Sequence, residues 1–257
     1  MNPDKTWLRN QFTANFRTYN TLAVVQDEIC AQLDQLLANS GPATIERALE
    51  IGAGTGFFTR RLIRRYPSAQ WYINDLADEA GHYLTPILQD AQATYLWGDA
   101  ESLTLPDHLD LVASASTIQW FADLPAFLHH IHKKLNTSGA MILSTFGPEN
   151  FREIKATTGE GLSYYDTDSF QRLLTECGFE ILEWEEYIRQ LTFDSPRDVL
   201  KHIRATGVNA IRPVHWTKGR LEQFETDYQN AYRTPDGQVT LTYHPMLTLV
   251  RKVDSLL

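Results

Sequence analysis

Apolar residues fall in short runs along this chain, separated by polar stretches of helical spacing. Residues 1–20 are polar with scattered aromatics, Trp7, Phe12, Phe16 and Tyr19. From Asn20 or Thr21, either of which can cap a helix, Leu22, Val25, Ile29, Leu33 and Leu36 recur at helical spacing until Ser40-Gly41-Pro42 stops them. The expectation is an N-terminal helix within residues 1–41 that covers a sheet. Residues 48–51, 71–73, 93–96, 109–115 and 140–145 then read as five short strands, with helices over 57–62, 124–135 and 168–177. Apolar strands alternating with helices predict an α/β architecture around a buried parallel sheet.

Beyond Gly178 the pattern changes. Residues 179–187 alternate as a strand, and Thr192-Phe193-Asp194-Ser195-Pro196 opens a helix through Arg204 that residues 207–210 interrupt. Helix returns over 218–232, Pro235-Asp236-Gly237 makes a turn, and residues 239–250 form a long alternating strand interrupted at His244-Pro245. That last strand is expected to finish the sheet antiparallel, as the partner of the strand in the 180s. The segment between them is too long for a hairpin loop, and about 190–237 reads as a helical insert over the substrate side of one domain spanning residues 1–257.

Composition narrows the function classes. A chain of 257 residues with 43% hydrophobic and 21% charged residues is an ordinary soluble globular protein. Its two cysteines, Cys30 and Cys177, form no C-x-x-C, and no secretory leader precedes them, so a reducing, cytoplasmic setting is expected. No apolar run approaches the ~20 residues that span a bilayer. A formal charge of -9 argues against broad nucleic-acid binding. His129, His130 and His132 cluster in one helix, but 129 and 130 point apart and no cysteine lies nearby in sequence, so they read as surface or partly buried helix residues.

The chemistry concentrates after the first strand. Gly52, Gly54 and Gly56 crowd a turn between strand and helix, where the backbone turns sharply and a ligand approaches it without a Cβ in the way. A dinucleotide fingerprint needs glycine where Phe57 stands, and a P-loop needs Gly-Lys-Ser/Thr where the chain has Gly56-Phe57-Phe58. The acid Glu50 before the turn, with no lysine close by, suits a cofactor with a cationic centre and no phosphate. Asp75 stands about 20 residues past the glycines at the second strand's end, where a carboxylate accepts from ribose hydroxyls; Asp78 and Glu79 follow in the next helix's first turn. Asp99 follows the third strand. Ser114, Ser116, Thr117, Gln119 and Trp120 follow the fourth, at the edge where open α/β sheets bind ligands. Basic residues gather twice: Arg60, Arg61, Arg64 and Arg65, and then Lys201, Arg204, Arg212, Lys218 and Arg220 in a stretch without an acid. Either group can dock an acidic partner, and the first can equally be a solvated face.

Glu50-Ile51-Gly52-Ala53-Gly54-Thr55-Gly56 resembles motif I of the class I S-adenosylmethionine-dependent methyltransferases. The run Tyr19 to Gln26, with its Y-x-x-x-A-x-x-Q pattern, the stretch Leu200-Lys201-His202-Ile203-Arg204-Ala205-Thr206-Gly207-Val208-Asn209-Ala210 and Leu241-Thr242-Tyr243-His244 are similar to segments of the malonyl-acyl-carrier-protein O-methyltransferases of biotin synthesis. Together they cover nearly the whole chain. Asn74-Asp75-Leu76-Ala77 departs slightly from the family's usual Asp-Leu/Ile-Ser but keeps the acid.

The resemblance implies a Rossmann-like fold with a seven-stranded, mostly parallel sheet, an antiparallel C-terminal strand and a helical lid insert. It implies S-adenosylmethionine as cofactor, held by Tyr19, Gln26, Glu50, Gly52, Gly54, Gly56, Asp75, Leu76, Asp99, Ala100, Ser114 and Ser116, with Asp99 and Ala100 on the adenine and Ser116 towards the methionine portion. The implied acceptor is the carboxylate of a malonyl thioester on acyl carrier protein. Arg204 or Lys201 would hold it, Tyr19 would close over the cofactor or orient the carboxylate, and His202 and His244 are lesser candidates. The alternatives are a methyltransferase for a small carboxylate or amine, a non-catalytic cofactor-binding subunit and a nicotinamide oxidoreductase.

Overall fold

In the computed structural model, which describes residues 4–206 and 216–253, the chain opens with two helices rather than one. In α1 (Lys5–Leu22) the Asp4 side chain accepts the Trp7 N–H, and α2 (Val24–Ser40) follows after one residue. Ala23 makes the break: its N–H donates to the Tyr19 carbonyl and closes α1, while its own carbonyl accepts from Asp27. The expected single helix from residue 20 is therefore corrected. Leu8, Phe12, Phe16 and Tyr19 form an inward stripe one residue wide on an otherwise polar helix, which in sequence reads as scattered aromatics.

β1 (Arg47–Ile51), α3 (Thr59–Arg65), β2 (Gln70–Asp75), α4 (Gly81–Leu88), β3 (Ala93–Trp97), β4 (Leu109–Ser114), α5 (Leu124–Lys134) and β5 (Leu135–Phe146) alternate as the apolar pattern predicts. Past them come α6 (Arg152–Thr158), which the pattern does not announce, α7 (Thr167–Glu176), β6 (Phe179–Glu186), β7 (Arg189–Phe193), α8 (Pro196–Ala205), α9 (Lys218–Tyr232), β8 (Val239–Tyr243) and β9 (Pro245–Lys252). Seven strands form one sheet in the order β3-β2-β1-β4-β5-β9-β6. β9 alone runs antiparallel, between β5 and β6. Ala48, Leu49 and Ile51 of β1, Trp71 and Ile73 of β2 and Leu111, Val112 and Ala113 of β4 are buried because helices cover both faces.

The last strand differs from its expected form. Residues 239–250 are not continuous: β8 leaves the main sheet to pair with β7 in a two-stranded sheet, and only β9 joins the larger one. The division falls at His244-Pro245, where proline supplies no N–H for a ladder. There the chain crosses Gly147, whose N–H donates to the His244 carbonyl at 2.8 Å. A Cβ on Gly147 would lie 2.5 Å from the His244 ring.

Glu153 fastens this second sheet to α6. It is fully buried on α6, and its carboxylate accepts the Thr242 N–H at 3.0 Å and hydroxyl bonds from Thr242 at 2.5 Å and Thr240 at 3.4 Å. Arg152 stands 3.8 Å away on the outer side. Removing the carboxylate orphans a buried strand N–H, so Glu153→Ala is expected to cost about 3 kcal/mol in denaturant unfolding. An unfolding midpoint unchanged from the parent protein would contradict that role.

Candidate cofactor and acceptor site

The carboxyl ends of β1 to β4 open into a cleft that α1 roofs over. Such a switch-point crevice is where open α/β sheets take ligands. Gly52, Gly54 and Thr55 of the β1 turn, Asp75 and Leu76 after β2, Asp99 and Ala100 after β3 and Ser116 after β4 all line it. The inward stripe of α1 closes the opposite side with Leu8, Phe12, Asn15, Phe16 and Tyr19. A second, smaller cavity continues from the first past Tyr19, Gly54 and Ser116, and adds Gln26, Cys30, Glu50 and Phe57.

The three glycines do different work. Each has positive φ, at 71°, 54° and 87° for Gly52, Gly54 and Gly56. A Cβ on Gly52 would lie 2.1 Å from the Thr117 hydroxyl, and one on Gly56 would lie 2.3 Å from Ile87. At Gly54 a Cβ would meet nothing within 4 Å: it projects into open space. Gly52 and Gly54 line the cleft, while Gly56 serves the packing of α3 on α4 and lines neither cavity.

Asp75 holds the turn. Its Oδ2 accepts the Gly54 N–H at 2.8 Å and its Oδ1 the Ala77 N–H at 2.9 Å. Burial pushes its carboxyl up to about 6, against these backbone donors, which pull it down. Burial pushes Glu50 further, up to about 8, partly offset by the Thr59 hydroxyl. Asn74 ties β2 to the β3 end by donating to the carbonyls of Leu96 at 2.7 Å and Gly98 at 3.0 Å. Ser116 adopts a left-handed conformation, φ 51°, and its N–H donates to Ser144 Oγ at 2.9 Å. Strain of this kind gathers where a ligand is held.

The roof is fixed by charge. Lys5 Nζ reaches Asp99 Oδ1 at 3.2 Å and Glu101 Oε2 at 2.6 Å, and Arg9 reaches Asp78 at 2.5 Å. Thr117 and Trp120, expected at the ligand edge after β4, line the cleft, whereas Lys5, Asn15 and Phe16 are cleft residues that residue patterns alone do not identify. Only the long-range pairing of α1 reveals them.

Other expected site residues lie elsewhere. Ser114 is buried in β4 and donates to the Ile51 carbonyl at 3.1 Å, so it holds two strands together instead of facing the cleft. His202 is buried on α8, where its Nε2 meets the Tyr243 hydroxyl at 2.8 Å; it lines neither cavity, and burial pulls its imidazole down to about 4, leaving it neutral. Lys201 and Arg204 are exposed on α8 and line neither cavity, because the apolar face of this amphipathic helix is the one turned inward. His244 sits at the β8–β9 break. Gly207, Val208, Asn209, Ala210 and Arg212 lie outside the described residues.

A family profile described as "Methyltransferase domain" matches residues 49–143, the stretch from β1 to β5. The chain is 38% identical over 255 residues to the malonyl-[acyl-carrier protein] O-methyltransferase of Acinetobacter baylyi, covering 98% of each chain. It is 37% identical to the protein of the same name from Porphyromonas gingivalis, over 96% of each. The chain belongs to the malonyl-[acyl-carrier protein] O-methyltransferase family. Among solved structures, an S-adenosylmethionine-dependent methyltransferase from Mesorhizobium loti superposes with a TM-score of 0.54 at 18% identity, covering 85% of this chain and 96% of that one, which speaks to the fold alone.

The site fits the methyltransferase cofactor by its unsatisfied groups. Gln26 Oε1, Glu50 Oε2, Thr55 Oγ1 and Ser116 Oγ are buried without hydrogen-bond partners among the described residues, and all four belong to residues lining the smaller cavity. Polar atoms are seldom left so in a finished interior. With the cofactor bound, Asp75 and Asp99 would offer carboxylates to the nucleoside end, and Glu50 would offer one to the cationic end.

Two measurements follow from this geometry. Gly54→Ala and Gly52→Ala both strain a backbone of positive φ, but only the second must also push Thr117 aside; Gly54→Ala is expected to weaken cofactor binding with the smaller fall in melting temperature, and equal melting temperatures for the two variants would contradict the distinction. Cofactor binding that uses an ionised Asp75 weakens as pH falls through about 6, since the carboxylate form is present above that value and lost below it. From Asp75 alone, affinity at pH 5 is expected to be about tenfold below that at pH 7, with a further loss from any other buried carboxyl that must ionise on binding, and a flat profile would remove Asp75 from the ribose contact.

Proposed function

We propose that this protein transfers a methyl group from S-adenosylmethionine to the free carboxylate of a malonyl thioester on acyl carrier protein, giving the methyl ester that primes chain elongation towards biotin. The observation that carries the reading is a near full-length likeness to methyltransferases named for that acceptor, together with a second cavity opening off the cofactor cleft. Masking the charge makes the acyl end acceptable to enzymes built for apolar chains, since burying an unpaired carboxylate costs several kcal/mol.

Methyl transfer to a carboxylate asks little of acid–base chemistry. The malonyl carboxylate is ionised at neutral pH, so no general base is required to make the nucleophile. The bound cofactor supplies an electrophilic methyl on a sulfonium. The chain must position the carboxylate oxygen and exclude water. Tyr19 and Gln26 line the smaller cavity, where Tyr19 supplies a neutral donor and Gln26 an unpartnered amide oxygen. Burial holds the Tyr19 phenol far above its ordinary range, so its hydroxyl stays protonated and donates. Neutral donors orient an anion without the charge neutralisation that a guanidinium would impose on the nucleophile. The β7–β8 unit with α8 and α9 would cap this side, and α1 would shut the cofactor from water.

Mass spectrometry of malonyl-carrier incubated with the protein and S-adenosylmethionine, with acetyl-carrier beside it, tests the reading. A gain of one methyl on the malonyl form alone is expected, and methylation of neither form with cofactor binding intact would overturn it. Tyr19→Phe is expected to lower kcat at least tenfold, with the melting temperature changed little. Full activity in that variant would remove the hydroxyl from the acceptor site.

A further inference from the structure

The two basic groups of the chain have different fates in the fold. On α3 the arginines are already engaged. Arg61 pairs with Asp27 at 2.9 Å, Arg65 with Asp34 at 2.7 Å, and Arg64 reaches the same Asp34 at 3.7 Å. Arg60 donates to the Gly56 carbonyl at 3.1 Å and Arg61 to that of Phe57 at 2.8 Å. This face is a brace between α2 and α3, with two of its four charges answered by Asp27 and Asp34.

On α8 the cations are divided by position. Arg197, near its start, pairs with Glu225 of α9. Lys201 and Arg204, one turn apart towards its end, are exposed and carry no ion pair among the described residues. The end of α8 abuts α1, where the Thr18 hydroxyl donates to the Ala205 carbonyl at 3.1 Å. Arg17 is exposed next to that bond and likewise has no ion pair among the described residues. Three cations from two elements thus share one outer corner. A helix-dipole role accounts for a cation in the last turn of α8 but not for Arg17 on another helix. Immediately inside the corner, Tyr19 of α1 lines both cavities.

We infer that Arg17, Lys201 and Arg204 form the docking face for the acidic carrier, receiving its surface carboxylates and the phosphodiester at the root of its thioester arm. This rests on the carrier-bound acceptor proposed above. The chain carries a formal charge of -9, so an acidic partner is repelled over most of the surface and finds attraction where cations stand unanswered. The corner lies beside Tyr19, so an arm anchored there enters the smaller cavity by a short path.

Steady-state kinetics on the full chain compare malonyl-carrier with malonyl-pantetheine, whose arm has neither phosphate nor protein. The triple variant Arg17→Glu, Lys201→Glu, Arg204→Glu is expected to raise KM for malonyl-carrier at least tenfold and to flatten its salt dependence, with a loss on malonyl-pantetheine at least tenfold smaller. Arg64→Glu on the other face is expected to stay within twofold of the parent on both acceptors. S-adenosylmethionine binding checks the fold of each variant, and the three single alanine substitutions, each with a smaller loss of the same sign, serve if the triple variant fails that check. An unchanged KM for the carrier, or equal losses on both acceptors, would overturn the docking face. If the parent protein methylates neither acceptor, the proposed function fails first, and the docking face with it.

Discussion

Two carboxylates buried at the end of a parallel sheet are the constraint on which this structure depends. Glu50 ends its side chain in a cavity, and Asp75 spends both oxygens on backbone N–H groups of the turns that surround it. Burial raises both, to about 8 and about 6. A chain that keeps two acids where ionisation is disfavoured carries a standing cost, which a cationic ligand with hydroxyl donors relieves. The glycine turn, the strained Ser116 and the unpartnered atoms of Gln26, Thr55 and Ser116 surround the same cavities. They make sense as one preorganised surface for such a ligand.

The roof makes that surface a closed site. α1 contributes an aromatic inner stripe and an outer row of charges, and its two long-range ion-pair sets reach the loops after β2 and β3. Lys5 therefore rests on Asp99, the residue expected to meet the adenine, so a cofactor bound there would act on the carboxylate that already holds the helix closed. The far end of α1 meets α8, which belongs to the unit built between β6 and β9. One helix thus links the cofactor end of the cleft to the end where the acceptor would enter.

Much of this was legible in the residues because it is local. Strand, glycine turn and following acid occur within 30 residues, and each has a backbone reason for its place: Gly52 and Gly54 adopt positive φ, and Asp75 stands at a strand end. What was not legible depends on distant partners. α1 hides because only one residue in four faces inward. Ser114 and Ser116 look alike in sequence, but Ser114 is the last residue of β4 and donates to the neighbouring β1 carbonyl, whereas Ser116 lies past the strand's end in a left-handed turn that leaves it in the cleft. His202 looks catalytic among Lys201 and Arg204, yet helical spacing buries it against Tyr243 and turns the two cations outward. The split of the last strand at His244 follows from its crossing with Gly147, a contact between residues almost a hundred positions apart.

The central claim is that the buried acid Glu50 is answered by the cationic end of the cofactor. With its carboxyl up at about 8, Glu50 is mostly protonated in the free protein at pH 7 and must ionise when a cation takes the neighbouring space. Titration calorimetry of S-adenosylmethionine binding at pH 7, in buffers of different ionisation enthalpy, reads that proton directly. The account predicts release of close to one proton per cofactor bound, and its loss in Glu50→Gln. Binding heats independent of the buffer would contradict it.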